Sequence, residues 1–272
     1  MKVRFWGVRG SIPTPNAEYM QYGGNTPCIE IRATNNTLLI LEAGTGIRKL
    51  GKKLMDQAYL PHGGINILIS HHHWDHIQGF PFFEPAFHDK HKIFVFGAPQ
   101  TDYRIHTIME GQMAYPYFPV SLDQMRAKIR FAELKKDCTQ VADSLIQTFP
   151  LNHPQGANGF RIEADGKIFA YASDTEHRAG QIDKNIVALA RDADFLVYDC
   201  TYTPEEYERK KGWGHSTYRE GLAIAHEAGV GRFGVFHHDP EHDDAFMDRI
   251  ASEVGALSEH ALVTREGMEI EL

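Results

Sequence analysis

The sequence SHHHWDHIQG, residues 70–79, decides which fold and chemistry are expected of this chain. It directly follows the apolar run Ile65–Ile69, which predicts a buried strand that ends at Ser70. In layered α/β proteins, ligands gather in the loops at the carboxyl ends of strands. The histidines are therefore expected in a functional loop rather than on a solvated surface.

The spacing within this loop indicates two groups of metal donors. His71 and His73 lie two residues apart in extended backbone, so their side chains can point the same way. Asp75 and His76 follow on the next turn, diverge from the first pair and can serve a second ion. So dense a set of donors favours a metal site over a histidine-rich surface loop.

The composition is that of a globular protein with an excess of histidine. The chain has 272 residues, of which 42% are hydrophobic and 24% charged, and it contains 16 histidines. Disordered, collagen-like and coiled-coil classes are thereby excluded. The net charge of −8 argues against a long nucleic acid as partner.

The cysteines and the apolar runs point to a cytoplasmic protein. Cys28, Cys138 and Cys200 are odd in number and far apart, which excludes a disulfide framework and a CxxC zinc site. The sequence shows no signal peptide and no apolar run long enough to span a bilayer. We therefore expect a reduced, cytoplasmic protein with no membrane partner.

Hairpin strands followed by strand–helix alternation occur twice along the chain. This order predicts an α/β fold with two mixed β-sheets packed together and helices outside, an αββα sandwich. We expect a single domain over residues 1–272, with internal pseudo-duplication and a lid-like insertion at about 80–134. The predicted strands are Val3–Trp6, Cys28–Arg32, Thr37–Glu42, Ile65–Ile69, Lys92–Phe96, Val141–Phe149, Gly159–Glu163, Ile168–Ser173, Phe195–Tyr198 and Arg232–Phe236. The predicted helices lie near Ile47–Leu54, Tyr103–Met109, Ile182–Ala190, Thr217–Ala228 and Asp243–Glu253.

The pattern H-x-H-x-D-H at residues 71–76 resembles the signature of the metallo-β-lactamase superfamily. The resemblance extends to His153, Asp174 and His237, each of which follows the end of a predicted strand. It implies two divalent metal ions, with Asp174 as the bridging ligand. By this resemblance one ion is held by His71, His73 and His153, and the other by Asp75, His76 and His237.

One position of this ligand set has an alternative residue, and a position near the set departs from the superfamily pattern. His238 is a rival of His237, which is preferred because it directly ends the apolar strand. Glu42 stands where the superfamily usually has aspartate, and we leave it out of the predicted site. Imidazole and carboxylate donors without a thiolate suit Zn, Mn or Fe.

The loop Gly214–His215–Ser216–Thr217 resembles the phosphodiesterase branch that contains ribonuclease Z and the phosphoribosyl cyclic phosphodiesterases. The resemblance implies that His215 acts on the phosphate or on the leaving oxygen, and that Asp199 orients it. With Asp75, these two residues form the predicted catalytic set. Ser216 or Thr217 can also cap the helix that begins near Tyr218, and both roles can hold at once.

Within that branch the chain looks most like bacterial cyclic-nucleotide phosphodiesterases, on the basis of Gly111–Gln112–Met113, Tyr117–Phe118–Pro119–Val120 and Phe236–His237–His238–Asp239–Pro240. The expected reaction is hydrolysis of a small phosphodiester, first of all a 3′,5′-cyclic nucleotide, by water activated between the two ions. Tyr117 and Phe118 are interpreted either as a lid that stacks on a base or as core.

Other functions remain open. A ribonuclease Z-like tRNA 3′-processing nuclease shares the ligands, but we find no basic arm for tRNA and the charge of −8 opposes it. A phosphoribosyl cyclic phosphate phosphodiesterase is a further alternative in the same class. A non-catalytic small-molecule-binding relative typically lacks some ligands, which are all present here. Relatives often pair, so the resemblance also implies a homodimer.

Overall fold

The computed structural model describes residues 1–57, 61–98, 103–135, 137–178 and 180–272. Two mixed sheets of seven strands each organise this part of the chain. The strands are β1 (Lys2–Gly7), β2 (Cys28–Arg32), β3 (Thr37–Leu41), β4 (His62–Ile69), β5 (Lys92–Gly97), β6 (Lys128–Glu133), β7 (Thr139–Val141), β8 (Ser144–Leu151), β9 (Ala157–Ala164), β10 (Lys167–Ala172), β11 (Phe195–Asp199), β12 (Phe233–Phe236), β13 (Ala261–Val263) and β14 (Glu269–Glu271). The α-helices are α1 (Gly46–Asp56), α2 (Trp74–Ile77), α3 (Ile105–Gln112), α4 (Lys184–Ala190), α5 (Pro204–Tyr207), α6 (Tyr218–Glu227) and α7 (Asp244–Leu257).

The two sheets repeat the same order of connections. The first sheet runs β14-β1-β2-β3-β4-β5-β6, antiparallel as far as β3 and parallel from β3 to β6. The second runs β13-β12-β11-β10-β9-β8-β7, parallel from β13 to β10 and antiparallel from β10 to β7. Each half of the chain thus builds its hairpin before its strand–helix units, as the sequence predicts.

Buried apolar side chains hold the layers together. One cluster joins the inner faces of the two sheets and includes Phe5 of β1 and Phe195 of β11, whose ring centroids are 6.3 Å apart. A second cluster lies between the second sheet and α4, α6 and α7, and a third between the first sheet, α1 and α3. Helix–sheet–sheet–helix layering follows, because each sheet has two apolar faces to bury. The predicted αββα sandwich is confirmed.

Several element boundaries differ from the sequence prediction. The strand predicted over Val141–Phe149 is divided, because the chain turns at Ala142, with φ of 49°, so that Val141 ends β7 and the rest of the strand is β8. The helix predicted from Ile182 begins at Lys184, since Asp183 caps it by accepting a hydrogen bond from Asn185 N. The predicted cap of α6 is confirmed, with Thr217 as N-cap.

The stretch expected as a lid-like insertion, about 80–134, contributes two strands to the first sheet. β5 and β6 extend that sheet beyond β4, and residues 99–102 lie outside the described part of the chain. Phe118 packs on Phe82 with ring centroids 5.5 Å apart and lies against the third cluster, while Tyr117 is 81% exposed. Of Tyr117 and Phe118, it is therefore Phe118 that packs against the apolar core. Throughout the described ranges, every helix is too short or too polar to span a bilayer.

The topology brings the predicted site residues to one edge. β8, β10, β11 and β12 are mutually parallel, because β8 and β10 each pair antiparallel with β9 and the other two follow β10 in parallel register. The carboxyl ends of these four strands therefore lie at the same edge of the second sheet. The loops that follow them meet the loop after β4 from the first sheet.

Candidate metal centre

Seven side chains from five segments of the chain converge at this edge. His71 and His73 follow β4, Asp75 and His76 lie on α2, and the others follow β8, β10 and β12. One group of possible donors is His71, His73, His153 and Asp174, and another is Asp75, His76, Asp174 and His237; within each group the candidate ligand atoms lie within 4.8 Å of one another. The structure thus brings together all seven residues proposed as ligands from the sequence. Their role as ligands stays a prediction.

In the first group, each histidine is fixed through the nitrogen that points away from the group. Nδ1 of His153 lies 2.8 Å from the Gly214 carbonyl oxygen, which can only accept, so Nδ1 carries the hydrogen and Nε2 keeps its lone pair. Nε2 of His73 lies 3.1 Å from Gln155 Oε1, which leaves Nδ1 of His73 facing Nε2 of His153 at 3.1 Å. Nδ1 of His71 lies 2.9 Å from Ser70 Oγ.

The second group is fixed in the same way. Thr201 Oγ1 donates its hydrogen to Asp199 at 2.7 Å, so it can only accept from Nδ1 of His237, 3.0 Å away. Nε2 of His237 then faces Asp75 Oδ2 at 3.2 Å and Asp174 Oδ1 at 3.3 Å. The backbone N–H of Ser11 donates to Asp75 Oδ2 at 2.8 Å. Outer contacts of this kind orient metal ligands and set their tautomers.

The donor set fits divalent cations. Nε2 of His71 and Nε2 of His76 are buried and make no hydrogen bond within the described structure. A buried nitrogen without a hydrogen-bond partner is costly, and a metal ion bound by both imidazoles would satisfy both atoms. Asp174 lies between the two groups, with oxygens 3.7 Å from His71 Nε2 and 3.4 Å from His76 Nε2.

The charges of the site favour a cation as well. Burial would raise the pKa of the Asp174 carboxyl, but His237 and His76 hold that pKa well below its ordinary value. Burial lowers the pKa of His71 well below its usual range, and the neighbouring His76 adds to this effect, so His71 is a neutral imidazole. Ionised carboxylates and neutral imidazoles are the forms in which these residues bind metal.

Glu42, left out of the predicted site, lies directly behind it. It follows β3 with φ of 64°, in the left-handed region, and its side chain is fully buried. Oε2 of Glu42 lies 3.2 Å from Nδ1 of His76, and its carboxylate accepts a hydrogen bond from the Ser70 N–H at 3.3 Å. The longer side chain thus brings its carboxylate to salt-bridge distance of His76, as an outer partner of a proposed ligand.

Replacing this carboxylate by an amide tests the pair. We expect Glu42→Gln to weaken metal binding about 10–100-fold, because the amide has no charge to orient and polarise His76. Competition with a chromogenic chelator would measure the affinity. Glu30→Gln is a matched control, since Glu30 is also buried but accepts a hydrogen bond from Trp6 Nε1 and belongs to no donor group of the described structure. Equal affinities of the two variants would contradict the role of Glu42.

His215 and Asp199 form a second pair at the same edge. Oδ2 of Asp199 lies 2.8 Å from Nδ1 of His215, and both side chains are buried. Burial alone would lower the pKa of His215, but the Asp199 carboxylate outweighs it and the pKa rises to about 9. The other Asp199 oxygen accepts a hydrogen bond from the Thr201 hydroxyl, which also contacts His237. One carboxylate is therefore linked to both His215 and His237.

Glu176 positions the site, although no sequence pattern assigned it a role. Glu176 accepts hydrogen bonds from Gly212 N at 2.7 Å and Gly214 N at 2.8 Å, and so anchors the loop that carries His215. Two glycines are also required by packing. A Cβ on Gly10 would lie 2.5 Å from the His237 ring, and one on Gly214 would lie 2.4 Å from the His153 ring.

An open cavity of about 520 Å³ gives access to the donors. It is lined by Ser11, His72, His73, Trp74, Asp75, Asp174 and His215. A larger cavity of about 920 Å³ begins near Asn152, but its described lining contains no histidine. The smaller cavity is therefore the candidate reaction site, because its lining includes His73, Asp75 and Asp174 of the donor groups. His238, the alternative to His237, is hydrogen-bonded through Nε2 to the Thr264 carbonyl and belongs to neither donor group.

Two packed mixed sheets with His/Asp donors at their common edge define the class of metallo-β-lactamase-fold proteins. A family model described as a Beta-lactamase superfamily domain matches residues 38–238, and the chain belongs to this superfamily. Its relatives include ribonuclease Z of Haloarcula marismortui, which is 22% identical over 99% of this chain and 96% of that protein.

Solved structures agree with this fold. The metallo-β-lactamase fold protein YhfI from Bacillus subtilis matches with a TM-score of 0.73 and 17% identity over 99% of both chains. The short form of human tRNase Z matches with a TM-score of 0.69 and 18% identity over 100% of this chain and 99% of that chain. At these identities the comparison shows the fold alone.

Proposed function

We propose that this protein is a dinuclear metal-dependent phosphodiesterase that hydrolyses a small phosphodiester, first of all a 3′,5′-cyclic nucleotide. The observation that carries the proposal is the His215–Asp199 pair, which lies beside a paired set of metal donors in one cavity. A metal centre alone would serve many hydrolases, whereas a buried imidazole oriented by a carboxylate suits a reaction with an oxygen leaving group. Relatives named ribonuclease Z support cleavage of a phosphodiester bond.

The proposed ligands divide between two ions that share Asp174. One ion would be held by His71, His73 and His153, and the other by Asp75, His76 and His237. When bound, two divalent ions such as zinc, manganese or iron lower the pKa of a shared water and neutralise phosphate oxygens. The overlap of the two donor groups at Asp174 supports this pairing.

The other steps of the proposed hydrolysis are carried out by residues of this protein. The Ser11 N–H holds one Asp75 oxygen, so this carboxylate is fixed in the cavity wall and can orient the attacking water. His215 is held through Nδ1 by Asp199, so Nε2 is the nitrogen left to hold a proton toward the cavity. His215 would give that proton to the departing ester oxygen, or stabilise its negative charge.

A ribonuclease Z-like nuclease that processes tRNA is the second candidate. It is favoured by the relatives of that name, which match nearly the whole chain. The net charge of −8 favours a small substrate, because a long polyanion is bound mainly through its phosphates. A base-free phosphoribosyl cyclic phosphate is a third candidate, and simple binding without catalysis is opposed by the complete donor set.

The test is an assay of purified protein, stripped of metal and reloaded with zinc or manganese. Cyclic AMP, cyclic GMP, bis(p-nitrophenyl) phosphate and a precursor tRNA are offered separately, and metal content is measured in the same samples. We expect turnover of the cyclic nucleotides and of the chromogenic diester only with metal present. Two bound ions without cleavage of any diester would refute the proposal, and cleavage of the tRNA alone would select the second candidate.

A further inference from the structure

Exposed apolar side chains lie in the wall of the metal cavity or within two residues of its otherwise polar lining. Trp74 lines the cavity and is 80% exposed, and among the described lining residues it is the one large apolar side chain. Ile12 is 58% exposed and directly follows Ser11 of the cavity wall. Trp213 is 60% exposed and lies two residues before His215, which also lines the cavity. We call these three residues the apolar rim.

The two tryptophans flank residues that belong to one chain of short contacts at the centre. Trp74 follows His73, whose Nδ1 lies 3.1 Å from Nε2 of His153. Nδ1 of His153 lies 2.8 Å from the carbonyl oxygen of Gly214, the residue after Trp213. Two short contacts, both through the His153 ring, therefore connect the residue before Trp74 with the residue after Trp213.

The loop of Trp213 is held in place and carries positive charge. Glu176 accepts hydrogen bonds from Gly212 N and Gly214 N, on both sides of Trp213. Nζ of Lys210 lies 4.2 Å from the centroid of the Trp213 ring. A cation at this distance is attracted to the ring face, so Lys210 and Trp213 hold each other and place a positive charge beside this indole. The platform is formed without any ligand.

We propose that the apolar rim, with Trp74 as its main platform, binds the nucleobase of a substrate whose phosphodiester lies at the metal centre. This inference rests on the proposed phosphodiesterase function and names the substrate as a nucleotide. Base stacking on an aromatic side chain tolerates every base, because each base has a π-face. An exposed tryptophan beside a polar cavity then has a function, because the nucleobase covers its indole ring once the phosphate is bound.

Fluorescence can detect the base directly, because the chain has three tryptophans. Trp6 is 9% exposed and donates to Glu30, so its emission differs from that of the two exposed side chains. We expect AMP to quench the exposed emission of the zinc-loaded protein, and ribose 5-phosphate, which has no base, to leave it unchanged. Trp74→Leu should remove most of the quenching by AMP. Quenching that is equal for the two ligands would overturn the stacking site.

Kinetics separate the base from the phosphate. Trp74→Leu is expected to lower kcat/KM for cyclic AMP about ten-fold or more, mainly through KM, because stacking one base is lost. For ribose 1,2-cyclic phosphate, a diester without a base, the same variant should equal the unchanged protein. Tyr117→Leu is the matched control, since Tyr117 is 81% exposed but does not line the described cavity. A loss in Tyr117→Leu with none in Trp74→Leu would overturn the stacking site on Trp74 and move the base to the loop of Tyr117.

The two proposals fail in different ways. If the metal-loaded protein cleaves no diester, with or without a base, the proposed function fails. If it cleaves cyclic AMP and Trp74→Leu does so equally well, the function stands and the stacking site is wrong. If Trp74→Leu instead turns a dimer into a monomer in size-exclusion chromatography with unchanged AMP binding, the rim is a contact between two copies and the nucleobase proposal is overturned.

Discussion

Asp174→Ala is expected to lose both metal ions and, with them, all measurable phosphodiester hydrolysis. The Asp174 carboxylate faces both donor groups, with oxygens 3.7 Å from His71 Nε2, 3.4 Å from His76 Nε2 and 3.3 Å from His237 Nε2. Removing an outer partner of a ligand weakens metal binding about 10–100-fold, and loss of a shared ligand should cost more than that. Metal content after gel filtration would measure the loss.

The variant also removes the charge that balances several buried histidines. Asp174 is 1% exposed, and its negative charge is among the causes that raise the pKa of His76 above its ordinary value. Asp174→Asn therefore accompanies the alanine variant, because it keeps the volume and removes only the charge. Asp89→Ala is the control for an exposed aspartate. Full metal content in Asp174→Asn would show that this residue bridges nothing.

The convergence of the proposed donors could be predicted from the sequence because most of them follow strand ends. An apolar strand that stops at a histidine or aspartate is a local signal, and the topology places such ends together at one edge. This is why the loop at residues 70–79 and three later residues can be assigned from a single sequence: His153, Asp174 and His237. The predicted sandwich follows from the same hairpin and strand–helix order.

Some strands and contacts cannot be predicted from the sequence, because they depend on residues far apart in the chain or on patterns too weak to recognise. β6 is an edge strand with mostly exposed residues, and β13 and β14 have three residues each, too few for a periodic signal. Glu176 anchors the His215 loop from a segment 36 residues earlier, which no local pattern indicates. Glu42 reaches His76 only because the backbone after β3 adopts a positive φ.

Backbone strain occurs at three residues that contact the metal centre. Ser11, Glu42 and His237 have φ near 60°, a region that costs free energy for residues with a side chain. Each of them contacts the centre: Ser11 through its N–H to Asp75, Glu42 through its carboxylate at His76, and His237 as a proposed ligand. Packing elsewhere in the fold must hold these conformations, so they are visible in the structure and absent from sequence propensities.

His215→Ala is expected to keep both metal ions and to lose about 10²- to 10⁴-fold in kcat, the usual range for removing a positioned acid or base. The physical reason is the geometry of the pair. Asp199 holds Nδ1 of His215 at 2.8 Å, and the imidazole lines the cavity without belonging to either of the two donor groups that include His71 and His76. Metal content and steady-state kinetics on cyclic AMP, measured on the same preparation, separate the two effects.

A third set of possible metal donors includes His215 itself. Asp174, Asp199, His215 and His237 also lie close enough to share an ion, so His215 could itself be a ligand. His226→Ala is the matched control, because His226 is an exposed histidine on α6, the helix that follows the same loop. If His215→Ala loses as much metal as Asp174→Ala, His215 is a ligand and its role as proton donor is wrong. If the metal stays and only kcat falls, His215 acts on the leaving group, because a ligand could not be removed without cost to the ion it holds.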